Sequence, residues 1–172
     1  MRSNSLRHFF FLNKCRLLSI SVDIVRSHVI LPGDVMQPME FNDALKVKNV
    51  IIDQEHEVLI DYINLLQMSM VNEASNTLLH KVLQGLVEYT KTHFFVEEEF
   101  MKAFHYPDAS AHRAAHEAFR HKIADVLRDV ERGEANLSAD IMQFLQHWLT
   151  EHILKIDRKL SDFLADKSLA AP

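Results

Sequence analysis

Apolar residues recur every three or four positions in four successive segments of the chain, from about residue 50 to residue 164. This period places the apolar side chains on one face of a helix, so the sequence predicts four amphipathic α-helices. The residues predicted to face inward are Ile52, His56, Leu59, Ile63, Leu66 and Met70 in the first helix, Leu79, Val82, Leu86, His93, Glu97, Phe100 and Phe104 in the second, His112, His116, Phe119, Ile123 and Val130 in the third, and Ile141, Leu145, Trp148, His152, Ile156 and Phe163 in the fourth.

Short turn-forming stretches separate the four segments. The stretch "VNEASN" joins the first two, and "YPD" ends the second, with Asp108 as the expected cap of the third. Gly133 is expected just past the end of the third helix, and Ser138 as the cap of the fourth. Because short loops make successive helices antiparallel, the predicted fold is all-α, an up-down-up-down four-helix bundle.

Residues 1–35 differ from the rest of the chain. They contain five basic and two acidic residues, whereas the other 137 contain 14 basic and 22 acidic ones, a net charge of −8. We therefore expect an N-terminal extension over 1–35, followed by the bundle domain over 36–172. The extension is interpreted as a targeting segment or as an upstream extension of the reading frame, and the second interpretation is favoured.

The bulk properties of the sequence argue against several classes of protein. A net charge of −5 gives no reason to expect a nucleic-acid partner. No apolar run approaches the roughly 20 residues that a membrane span needs. The single cysteine, Cys15, excludes an internal disulfide and a cysteine-based metal cage, and it agrees with a cytoplasmic location.

Histidine is the unusual residue of this composition, with 11 copies. Ionisable side chains are costly to bury unless something pairs with them, yet every predicted inward face carries at least one histidine. Counted from the loops at 1.5 Å per residue, these positions fall within about one helical turn of the same depth. The residues predicted to meet in this layer are His56, His93, His112, His116 and His152, together with the carboxylates Glu97 and Asp157.

Spacing within each helix supports convergence of these groups on metal ions. His93 with Glu97, and His112 with His116, are four residues apart and so share a helix face. Five imidazoles and two carboxylates are too many for one ion and suit two, of iron, manganese or zinc. Glu97 and Asp157 are the expected bridges, because a carboxylate has two oxygens.

The pair His152 and Asp157 does not follow this rule. Five residues turn an α-helix about 140° out of alignment, so these two side chains are expected to reach different parts of a larger site.

Simpler interpretations hold for other polar residues. A lone histidine on an apolar face is more often a hydrogen-bonded core residue than a ligand, and no metal role is expected for His8, His28, His80, His105, His121 and His147. Glu98 and Glu99 are expected to be exposed or to hydrogen-bond to a ligand. Asp53 either caps its helix or hydrogen-bonds to a ligating histidine.

Four motifs resemble those of the hemerythrins, and specifically the single-domain bacterial ones. They are "IIDQEH" ending at His56, "HFFVEEEFM" with His93 and Glu97, "HRAAH" with His112 and His116, and "WLTEHILKID" with His152 and Asp157. The resemblance runs from about residue 41 to residue 164. Phe41 departs from it, because the family often has tryptophan there.

The resemblance implies two iron ions (Fe2+/Fe3+) bridged by Glu97, Asp157 and an oxo or hydroxo group. It implies that His112, His116 and His152 complete one iron. His56 and His93 would complete the other, which keeps an open position where the family binds O2. Trp148 and Leu149 match positions that line the family's O2 pocket.

The expected function is reversible O2 binding, for transport, storage or delivery to an oxygen-requiring enzyme, without enzymatic activity of its own. Di-iron oxidases of the four-helix type use four carboxylates, whereas two carboxylates and one hydroxide against two Fe2+ leave about +1, which disfavours oxidation states above Fe3+. The alternatives are an oxidase, a peroxidase or a nitric oxide-handling enzyme at the same irons, and a sensor that acts through a partner.

Overall fold

In the computed structural model, residues 37–71, 76–133 and 138–169 are described, and every regular element among them is helical. The elements are α1 (Val50–Val71), α2 (Asn76–Ala103), α3 (Ala109–Glu131), α4 (Ala139–His152), a π-helical turn (Ile153–Asp157) and α5 (Arg158–Leu169). α4, the π-helical turn and α5 follow one another without a break and form the fourth rod. The predicted all-α four-helix bundle is therefore confirmed.

Neighbouring helices pack through their apolar faces. α1 contacts α2 and α4, and α2 contacts α3. Gly85 allows α1 and α2 to approach closely, because a Cβ atom at this position would lie 2.7 Å from Cε1 of Tyr62.

The helix ends agree in part with the predicted caps. The hydroxyl of Ser138 accepts a hydrogen bond from the Ile141 N–H at 3.3 Å, so it caps α4 as expected. Gly133 follows α3 with φ of 65°, the left-handed conformation that glycine adopts freely. Asp108 occupies the residue before α3, but its side chain makes no capping hydrogen bond, so that detail of the prediction is wrong.

The second helix ends earlier than its apolar pattern suggested. α2 stops at Ala103, His105 adopts a φ of 53°, and the Tyr106 N–H donates back to the Met101 carbonyl at 2.8 Å. This left-handed stop places Phe104 outside the helix, 42% exposed, so its predicted inward position is wrong. Met101 is buried instead.

Most of the predicted inward residues of the first three helices are buried. On the fourth rod, most of the buried apolar residues lie one position away from the predicted ones. Of the six residues predicted to face inward on this rod, Leu145 and His152 are buried, whereas Ile141, Trp148, Ile156 and Phe163 are only half-buried. The apolar residues buried on this rod are Met142, Leu145, Leu149, Ile153, Leu160 and Leu164.

The prediction for residues 1–35 lies outside the described residues. Within the described residues, no helix combines the length and the apolar character needed to span a bilayer.

Candidate metal centre

Seven buried polar side chains from all four rods converge at one depth of the bundle. α1 supplies His56, α2 supplies His93 and Glu97, α3 supplies His112 and His116, and the fourth rod supplies His152 and Asp157. None is more than 2% exposed. The depth counted from the sequence was therefore correct.

These side chains form two overlapping groups, each with its potential ligand atoms within 4.8 Å of one another. One group is Glu97, His112, His116, His152 and Asp157, and the other is His56, His93, Glu97 and Asp157. Only the two carboxylates belong to both groups. Such sharing is the arrangement expected of two adjacent cations with carboxylates between them.

The imidazole Nε2 atoms point at the carboxylate oxygens. His116 Nε2 lies 3.1 Å from Glu97 Oε2, and His152 Nε2 lies 3.0 Å from Asp157 Oδ1. On the other side of the same carboxylate, His56 Nε2 lies 3.1 Å from Asp157 Oδ2. One oxygen of Asp157 thus faces each group.

The chemistry of these atoms fits cations. Among the described residues, the oxygens of Glu97 and Asp157 and the Nε2 atoms of His56 and His112 are buried and make no hydrogen bond. Unpaired buried polar atoms are costly, and imidazole nitrogen with carboxylate oxygen is a donor set for iron, manganese or zinc. The seven residues therefore suit a pair of such ions.

Burial and the close packing of opposite charges together set the pKa values of the side chains in this cluster. Burial opposes charge on His93, but the carboxylates of Glu97 and Glu55 outweigh it and raise the pKa of His93 to about 9. Asp157 and Glu97 raise the pKa of His112 to about 9 in the same way. The histidines around Asp157 outweigh its burial and hold its pKa well below the usual range.

Two glutamates outside the cluster hydrogen-bond to two of its histidines. Glu55, buried on α1, accepts a hydrogen bond from His93 Nδ1–H at 3.0 Å. Glu98 accepts from His116 Nδ1–H at 3.1 Å and from Arg120 at 2.7 Å. An acceptor on Nδ1 fixes the tautomer that leaves the Nε2 lone pair for a metal.

Glu55 was missed by the sequence reasoning, although a signal for it existed. It lies three residues after Ile52 and four before Leu59, so it falls on the inward face of α1. Glu98 matches one of the two roles expected for it.

The π-helical turn explains the odd spacing of His152 and Asp157. A π-helix is wider than an α-helix, so residues five apart align along its axis as residues four apart do in an α-helix. The two side chains therefore lie together at 3.0 Å instead of diverging. The expectation that they reach apart was wrong, because it assumed uniform α-helical geometry.

Aromatic rings cover the histidines of the larger group. Phe94 stacks on the His116 ring, with centroids 3.8 Å apart and planes 9° apart. Trp148 stacks between His152, at 4.4 Å, and Phe119, at 4.0 Å. Leu149, the residue after Trp148, is 3% exposed. The ring of Trp148 thus lies against the group with three histidines.

The remaining polar candidates lie away from the cluster. Asp53 accepts a hydrogen bond from the Val47 N–H at 2.7 Å, so it anchors the preceding segment, and Asn49 caps α1 through the N–H of Ile51. His80 contacts Glu131 at the surface. His105, His121 and His147 are exposed, and His8 and His28 lie outside the described residues.

Comparison with known proteins gives one consistent family. A family model described as the hemerythrin HHE cation binding domain matches residues 48–164, a range that includes all seven side chains. The bacteriohemerythrin of Stenotrophomonas maltophilia (strain R551-3) is 30% identical over 127 residues, which cover 74% of this chain and 82% of that protein. The bacteriohemerythrin of Methylococcus capsulatus (strain ATCC 33009 / NCIMB 11132 / Bath) is 31% identical over 106 residues, 62% of this chain and 80% of that protein.

A solved structure agrees with the sequence relatives. The crystal structure of a wild-type hemerythrin superposes with a TM-score of 0.70 at 28% identity, and the match covers 75% of this chain and 99% of that one.

Proposed function

Because the chain belongs to the hemerythrin family, we propose that it holds two iron ions at the seven-residue cluster and binds O2 reversibly as a carrier or store. The irons would supply the electrons that hold O2. The observation that carries the proposal is the pair of overlapping four- and five-residue groups, which share only Glu97 and Asp157.

The two groups differ in a way that suits a binding function. In this proposal His112, His116 and His152 complete one ion, and His56 and His93 complete the other. The second ion then has one protein ligand fewer, which leaves a position for a small exogenous ligand. Glu97 and Asp157, which belong to both groups, would hold both ions together with an oxo or hydroxo group.

The surroundings of the cluster favour reversible binding of O2 over its chemical conversion. The donor set has two carboxylates, where four-helix di-iron oxidases have four. It therefore carries less negative charge and stabilises high iron oxidation states less well. Phe94 is buried and stacks on His116, and Leu149, three residues before His152 on α4, is buried and apolar. Apolar side chains exclude water and limit proton supply, and slow protonation keeps O2 binding reversible.

The test combines metal analysis with spectroscopy. The purified protein should contain two irons per chain, and the reduced protein should gain a visible charge-transfer band in air that disappears under vacuum and returns on re-aeration. His112→Ala removes a ligand and should lower the iron content below two per chain, whereas the exposed His121→Ala should leave it unchanged. Rapid, irreversible oxidation with turnover of an added reductant would support the enzymatic alternative and contradict this proposal.

A further inference from the structure

A small surface cavity of about 120 Å³ opens beside the cluster, between the start of α3 and the π-helical turn. Its lining residues are Tyr106, Asp108, Ala111, His112, Lys155, Ile156 and Lys159. Only His112 among them belongs to the candidate metal centre.

His112 lines this cavity and carries an unsatisfied hydrogen-bond group on its ring. Its Nε2 atom faces inward, 3.1 Å from Asp157 and 3.4 Å from Glu97, so the other edge of the ring faces outward. The Nδ1 atom on that edge is buried and makes no hydrogen bond within the described part of the chain. The whole residue is 2% exposed.

A metal-ligating histidine almost always donates its second N–H to an acceptor. Glu55 and Glu98 serve this role for His93 and His116. His56 and His152 also have an unpartnered Nδ1 atom, but neither lines the cavity. Of the three histidines with an unpartnered Nδ1 atom, His112 is therefore the one that a molecule in the cavity can approach.

The charges around the cavity favour an anion as that molecule. The start of the 23-residue helix α3 carries the positive end of the helix dipole and free backbone N–H groups. Lys159 has no ion-pair partner among the described residues, whereas Lys155 pairs with Glu151. Asp108 is the only acidic side chain in the lining.

We propose that this cavity binds a small oxyanion, of the size of inorganic phosphate or a short carboxylate. The anion accepts the N–H of His112 Nδ1 and pairs with the ammonium group of Lys159. A cavity of about 120 Å³ has room for such an anion. An anion that accepts the Nδ1–H hydrogen bond makes the His112 imidazole a stronger electron donor through Nε2. Anion binding in the cavity would therefore change the electron density at the metal pair.

Calorimetric titration of the metal-loaded protein with inorganic phosphate tests this site. At constant ionic strength and without oxygen, wild-type protein should bind one phosphate per chain. Lys159→Gln removes the cation and should weaken binding about tenfold or more, the effect of losing one charge-assisted hydrogen bond. Ala111→Leu fills the cavity without changing its charge and should weaken binding as well.

A lysine elsewhere on α3 provides the matched control. The Lys122 ammonium lies over the Phe144 ring, away from the cavity, so Lys122→Gln should bind phosphate with wild-type affinity. The visible spectrum of the iron-loaded protein should shift with phosphate in wild type and in Lys122→Gln, but not in Lys159→Gln.

Two results would overturn the inference. The first is the absence of a saturable heat of binding. The second is equal affinity in wild type and Lys159→Gln, which would mean that phosphate binds the metal directly or only screens charge. Because the calorimetric measurement uses no O2, a protein that bound phosphate but not O2 would contradict the proposed function and leave this inference standing.

Discussion

Glu55 shows how much of the candidate site depends on residues outside the seven potential ligands. It is 3% exposed, and its burial raises the pKa of its carboxyl group. The hydrogen bond from His93 offsets part of this cost, because it holds the carboxylate and the imidazole together. Glu55 is thus positioned to fix the ring that the smaller group offers to a metal.

Replacing Glu55 tests this positioning role. Glu55→Leu removes the acceptor for His93 Nδ1–H and should lower iron affinity by about 10- to 100-fold, the usual cost of losing such a partner. Glu55→Gln keeps an acceptor oxygen and should restore most of the affinity. Competition with an Fe2+ chelator under anaerobic conditions measures both variants. Equal affinities for the two would show that burial of the side chain, and not its hydrogen bond, is what matters.

Trp148 is the only tryptophan of the chain, so its fluorescence reports directly on the cluster. Its ring stacks on His152 at 4.4 Å with planes 17° apart. We expect loading with Fe2+ to quench the emission several-fold, because the indole is in van der Waals contact with a ligand ring of a paramagnetic ion. Loading with Zn2+, which has a filled d shell, should quench much less. Unchanged emission with both metals would contradict the ligand role of His152.

Leu149 is assigned to the proposed O2 pocket through its place in the sequence and its burial. Leu149→Ala opens space in which water can approach, so loss of the oxygenated form should accelerate by about tenfold or more. The change also costs about 2–5 kcal/mol of stability, as buried Leu→Ala substitutions do. Leu145→Ala, one turn earlier on α4 and fully buried, is the matched control. Both variants should lose stability, but only Leu149→Ala should autoxidise faster. Equal autoxidation rates in the two variants would contradict a role of Leu149 in the pocket.

At the scale of elements, the four rods were predictable because amphipathic periodicity and short loops both point to a bundle. The departures occur where local backbone geometry differs from a regular α-helix. His105 ends α2 in a left-handed conformation before the proline that the sequence offered as the breaker. The π-helical turn changes which residues share a face, and no residue in "ILKID" marks it by composition.

A single deletion tests the role of the π-helical turn. A π-helical turn is an α-helix with one residue inserted, so deleting the exposed Lys155 should restore regular α-helix and leave His152 and the aspartate four residues apart on one face. Iron content should stay at two per chain. The metal-free protein should become more stable by about 1 kcal/mol, within the usual range of single changes. Thermal unfolding and metal analysis measure both effects, and loss of iron would show that the wider turn itself is needed.

At the scale of the whole molecule, the convergence of seven side chains could be predicted because loop positions fix depth and periodicity fixes direction. Their hydrogen-bonded partners could not be predicted as readily. Glu55 and Glu98 follow from how two helices are rotated against each other, and that rotation depends on side-chain packing such as the contact of Tyr62 with Gly85. The cavity beside His112 likewise depends on the path of the chain between α2 and α3.

A metal pair held by the cluster would make the stability of the bundle depend on metal and pH together. Without metal, the raised pKa values of His93 and His112 stabilise the folded state fully below their ordinary value of 6.5, and this contribution is lost as pH rises through about 9. The lowered pKa values of Glu97 and Asp157 contribute above their ordinary values and are lost as pH falls. The lowered pKa of His116 and the raised pKa of Glu55 act in the opposite sense. Because the shifts of His93 and His112 outweigh them, the metal-free protein should be most stable between about pH 4.5 and pH 6.5.

Metal binding should remove the alkaline part of this dependence. Cations replace the protons on the ligand nitrogens, so the metal-loaded protein should keep its thermal midpoint between pH 6.5 and pH 9, whereas the metal-free protein should lose several degrees. Scanning both forms at equal ionic strength measures the difference, with His80→Gln at the surface as a control that keeps the wild-type slope. If the thermal midpoint changed with pH in the same way in both forms, the buried imidazoles would not be exchanging protons for metal. This result would contradict the interpretation of the cluster as a site for two cations.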